Sequence, residues 1–62
     1  MTLAQAVEHG NELIRDYIFA EVCDNPDLME KIARERADFE NSLIADYGED
    51  FATDYFNEIN SD

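Results

Sequence analysis

The chain has 62 residues, with 16 Asp and Glu against four Lys and Arg, for a formal net charge of −12. So acidic a surface repels nucleic acid and anionic membranes, and it attracts basic protein surfaces. Such a length makes one domain, 1–62, with a small core that a second subunit would help to stabilise. Apolar residues make up 45% of the chain, too many for an acidic disordered tail. No stretch approaches a membrane-spanning length, and the start MTLAQAVEHG lacks the basic region of a signal peptide. The Met start and the form of the end read as a whole small gene product. Cys23 is the sole cysteine, which excludes an internal disulfide and fits a reducing cytoplasm.

Taken in chain order, the first element is a helix over about 3–23. Thr2 and Gln5 form a capping box at its start. Leu3, Ala6, Val7, Leu13, Ile14, Tyr17 and Ile18 recur at helical spacing on one face, and Gly10 shares that face. Phe19, Val22 and Cys23 lie off this stripe and need another cover, either the tail or a second copy. The segment Asp24-Asn25-Pro26-Asp27 reads as a stop and a start, with Asn25 as N-cap and Pro26 as first helical residue.

A second helix is predicted over about 26–47, with Met29, Ile32, Phe39, Leu43 and Tyr47 as its apolar stripe. The short connection makes the two helices an antiparallel hairpin. Its register places Ile18 against Ile32, Val7 against Leu43 and Leu3 near Tyr47. Gly10 then falls beside Phe39 and Glu40, where it gives room for a ring or for close helix approach. Arg36 sits within the stripe, where it pairs with Glu40 one turn on or ties the helix to a neighbour or a second subunit.

Gly48 is a reasonable stop, followed by a short amphipathic helix over about 50–59. Its apolar side carries Phe51, Ala52, Tyr55, Phe56 and Ile59, and its other side the acids. Leu43, Tyr47, Phe51 and Tyr55 keep a four-residue step, so one helix running through Gly48 is the alternative. The fold class is therefore all-α: a hairpin with a short third helix, self-associating as a homodimer through Phe19, Val22, Cys23 and Arg36.

Catalytic and metal-binding chemistry finds little footing. His9, the only histidine, precedes Glu12 in a single His-x-x-Glu, whereas helical di-metal sites repeat Glu-x-x-His. It reads as an exposed polar-face residue. Cys23 lies near a helix C-terminus, which disfavours thiolate. Asp46, Asp50 and Asp54 mimic a calcium loop until positions six and twelve are counted: these hold Phe51 and Asn57 rather than Gly and Glu. Nucleotide-binding, zinc and serine-nucleophile motifs are absent from the sequence. No cofactor is expected, and the chain is not expected to be an enzyme.

The charge distribution is more informative. No base follows Arg36, while Asp38, Glu40, Asp46, Glu49, Asp50, Asp54, Glu58 and Asp62 do. Phe51, Tyr55, Phe56 and Ile59 with Asp50, Asp54 and Glu58 form a candidate surface, apolar anchors beside acids that steer toward a basic rim. The competing reading is that these rings cap the hairpin core and the acids serve solubility. Phe51, nearest the hairpin, is expected in the core and Phe56 outside it.

The run VCDNPDLMEKIARERADFENSLIADYGEDFATDYFNEINSD, Val22 to Asp62, resembles the small early proteins of lambdoid bacteriophages, in particular the open reading frames between the exonuclease and excisionase genes. That likeness rests on length, acidity and the Asp-Asn-Pro-Asp junction. It implies a non-enzymatic protein of the host cytoplasm, associated with host takeover and the choice between lysis and lysogeny. The expected function is binding to a basic or amphipathic host protein surface, without direct contact to nucleic acid or membrane. The alternative is a DNA mimic that blocks a nucleic-acid-binding protein, which would align its acids at phosphate-like spacing, roughly 3.4 Å per strand step.

Overall fold

A computed structural model describes residues 1–61. Three helices carry the fold: α1 Leu3–Val22, α2 Pro26–Tyr47 and α3 Glu49–Asn60. Each pair of helices packs together, with no strand among the described residues.

Local chemistry explains the boundaries from Thr2 to Gly48. At the start of α1 the Gln5 N–H donates to Thr2 Oγ1 at 3.2 Å, and the Thr2 N–H donates to Gln5 Oε1 at 2.8 Å. This reciprocal pair satisfies amide donors that the first helical turn would leave unpartnered. At the other end Asp24 takes φ 53°, and its N–H donates to the Glu21 carbonyl while that of Asn25 donates to Ala20. These two hydrogen bonds close a Schellman motif on a residue type that tolerates the left-handed region. Asn25 also caps the next helix, its Oδ1 accepting from the Leu28 N–H at 3.2 Å. The turn thus has no spare residue.

The chain does not run straight through Gly48. That residue has φ 90° and ψ 171°, a region open essentially to glycine alone. It ends α2 through its N–H to the Ile44 carbonyl, and its own carbonyl accepts from the Ala52 N–H that opens α3. The turn at Gly48 lays α3 against both α1 and α2.

The core has two parts. Ala6, Leu43 and Tyr55 form one, flanked by Leu3, Val7, Phe51, Phe56 and Ile59. Leu13, Ala20 and Ile32 form the other, toward the α1–α2 turn, flanked by Tyr17, Leu28 and Met29. Phe39 touches both.

Two packing expectations need correction. Ile18 does not meet Ile32 in the core but stays 53% exposed, and Ala20 is buried in its place. The buried seam of α1 runs through Ala6, Gly10, Leu13 and Ala20, with Tyr17 half-buried. Alternating steps of four and three along this seam rotate Ile18 outward, and its small residues permit close approach. Gly10 does give room for a close helix approach, but to α3 rather than to Phe39: a Cβ there would collide with Tyr55 Oη and lie 2.5 Å from Ile59 Cδ1. Pairing two helices alone leaves out the third, which takes that space.

The folded chain exposes 4489 Å². A compact monomer of its 7.1 kDa mass exposes about 4,100 Å². The exposed large apolar side chains are Met1 at the start, Ile18, Phe19 and Val22 at the end of α1, and Ile44 and Tyr47 at the end of α2.

Candidate interaction surfaces

The sequence places two groups of residues in candidate roles, the tail surface and the dimer contacts Phe19, Val22, Cys23 and Arg36, and the fold separates Arg36 from the rest of its group. The tail group divides by face. Asp50, Asp54 and Glu58 are exposed on the outer side of α3, one turn apart. Tyr55 is corrected from candidate surface residue to core residue, with no exposed area. Its ring meets Phe39 edge-on at 5.9 Å and Phe56 at 5.2 Å. Phe51, Phe56 and Ile59 are half-buried against the same cluster. Phe56, expected outside the core, is therefore partly within it. Phe51 also stacks on Tyr47 at 4.7 Å. Three-residue and four-residue steps from Phe51 point one side of α3 inward and leave the acids free, together with Thr53, Asn57 and Asn60.

Arg36 enters a polar tie. Its Nε donates to Glu40 Oε2 at 3.2 Å, and the Tyr55 hydroxyl donates to the same oxygen at 3.3 Å. Glu40 thereby joins α2 to α3. Burial pushes the Tyr55 phenol up to about 12, and the adjacent Glu40 carboxylate adds to the shift. No buried side-chain nitrogen or oxygen is left without a partner among the described residues.

Phe19, Val22 and Cys23 do gather on one surface, and Ile18 joins them. Phe19 is 65% and Val22 78% exposed, and Cys23 is a free, exposed thiol. They lie at the C-terminal end of α1 and on its cap residue Cys23, outside the buried seam of Ala6, Gly10, Leu13 and Ala20. Phe19 lines a shallow cleft with Leu28, Lys31, Asp16 and Glu35. Glu21, Asp24 and Asp27 are exposed close by in the chain. The result is an apolar patch with a mostly acidic rim. Ile18 was missed as a surface residue because its spacing fits the apolar stripe. Arg36 lies apart from this patch, in an open furrow of about 450 Å³ between α1 and α2 that Ile14, Tyr17, Ala33 and Ala37 also line.

His9 is exposed, as its place off the stripe predicts, and its ring packs edge-on against Phe39 at 4.5 Å. No group of three metal-ligating side chains converges among the described residues. No helix there is long and apolar enough to cross a membrane.

No family model matches this chain, and no curated protein or solved structure matches it either.

Proposed function

We propose that this is a non-enzymatic binding protein that engages a basic or amphipathic surface of another protein through the end of α1. The observation that carries this reading is the cluster of Ile18, Phe19 and Val22, each more than half exposed, beside Asp16, Glu21, Asp24 and Asp27. An apolar centre inside a charged rim is the usual layout of a protein contact. With a net charge of −12, the chain steers toward a partner of opposite sign. The resemblance to small early phage proteins adds that the partner belongs to a bacterial host and that binding serves regulation in its cytoplasm.

The DNA-mimic alternative has less support, because the acids are spread over all three helices while the apolar side chains Ile18, Phe19 and Val22 are exposed at one end of α1. Phe19→Asp tests the reading. Capture of host proteins from bacterial lysate by the immobilised chain should be lost, with the melting curve unchanged. Retained capture would move the contact elsewhere, and capture that ignores salt would remove the role given to charge.

A further inference from the structure

We propose that α3 is an exchangeable element, and that two copies of the chain form a dimer by each seating its α3 in the other's α1–α2 groove. Four observations converge on this. First, α3 is joined to α2 by one residue, Gly48, and a Cβ built there meets nothing within 4 Å. No side chain packs against the Gly48 position itself, so the connection between α2 and α3 rests on the backbone conformation of one glycine, at φ 90°.

Second, the helical pattern does not stop at Gly48. Leu43, Tyr47, Phe51 and Tyr55 continue at four-residue steps across it. Straightening the chain there gives one amphipathic helix from α2 into α3, with the glycine the only poor helix former at the join. Third, the seat is specific. Gly10 is notched to fit the Tyr55 ring and Ile59, and Glu40 accepts the Tyr55 hydroxyl. A second copy's α3 satisfies this seat as well as the chain's own, so exchange loses no core contact.

Fourth, the pairing already has the needed symmetry. Tyr47 stacks on Phe51, Ile44 shares a cleft with Ala52 and Phe56, and Glu40 bonds Tyr55. These antiparallel pairs are centred close to Gly48. Two straightened α2–α3 helices crossing antiparallel at a two-fold axis near Gly48 reproduce the same pairs between copies. Each copy keeps its Phe19 patch at the far end of the hairpin, so the exchanged dimer presents two patches and gains avidity toward a repeated partner.

Gly48→Ala is the deciding variant. Alanine disfavours the reversed turn, at φ 90°, and favours the straight helix. Sedimentation of the full chain at micromolar concentration should give double the monomer mass, with helicity undiminished. A folded Gly48→Ala monomer overturns the proposal. Loss of helicity overturns it too, because the exchanged dimer restores every core contact. Two additions to that variant identify the interface. Phe19→Asp should leave the dimer intact, and Gly10→Leu, which fills the Tyr55 seat, should abolish it. A dimer lost with Phe19→Asp, or surviving Gly10→Leu, is a different dimer and refutes the exchange. None of these outcomes depends on the host-partner reading, which fails or stands on capture by the Phe19 patch.

Discussion

Gly10 on α1 and Tyr55 on α3 occupy one space between them: the missing side chain of the first is where the hydroxyl end of the second lies. Tyr55 is fully buried, so its ring has no open side to swing toward. Gly10→Ala therefore sets helix propensity, which favours alanine by about 1 kcal/mol, against overpacking, which costs about 1–3 kcal/mol. Overpacking should win. Denaturant titration should place the variant below the parent in stability, and a gain would mean that α3 shifts freely on the hairpin.

The same tyrosine gives the fold an alkaline limit. Its phenol ionises near 10 when unfolded and about 12 when folded. The raised value stabilises the fold fully below pH 10, and that contribution is lost as pH rises toward 12. Stability should fall across this window by at most about 1.4 kcal/mol per pH unit. Tyr55→Phe should flatten the decline, as followed by circular dichroism against pH. An unchanged slope would assign the decline to other groups.

Truncations should rank by burial. Leu43 is almost wholly buried, and Leu43→Ala should cost about 2–5 kcal/mol. Phe51 and Phe56 keep part of each ring in solvent, so Phe51→Ala and Phe56→Ala should cost less, about 1–3 kcal/mol each. Urea melts of the three variants check the order. A melt unaffected by Phe56→Ala would return that ring to the binding surface.

Salt should stabilise the protein. Two ion pairs among the described residues, Arg34–Glu30 and Arg36–Glu40, offset little of the charge, and the first is exposed. Raising salt from about 10 mM to about 150 mM shortens the screening length from about 30 to about 8 Å. The melting temperature should rise through reduced self-repulsion. A fall would give the Arg36–Glu40–Tyr55 tie more weight than the net charge.

The helix ends were readable because adjacent residues set them. Thr2 with Gln5, Asn25 before Pro26, and Gly48 each act through backbone groups within one turn. The left-handed Asp24 left a weaker trace, the tolerance of Asp for that region. Placement of side chains in the core was less readable. Tyr55 looks like a surface anchor because its acceptor, Glu40, lies 15 residues away. Ile18 fits a helical stripe, yet the small residues Ala6, Gly10 and Ala20 turn the seam away from it. Such choices depend on a third helix occupying the groove, which no two-helix register contains.

The two connections are three residues and one residue long, and both are tied by backbone hydrogen bonds. A protease needs a strand of chain it can draw into its active site, and neither connection supplies one. Cleavage within the helical body must wait for a helix to open, so its rate follows the equilibrium population of opened chains. For a fold with so small a core, that population is set by a few kcal/mol. The protein's persistence in a cell therefore rises and falls with anything that binds its folded form.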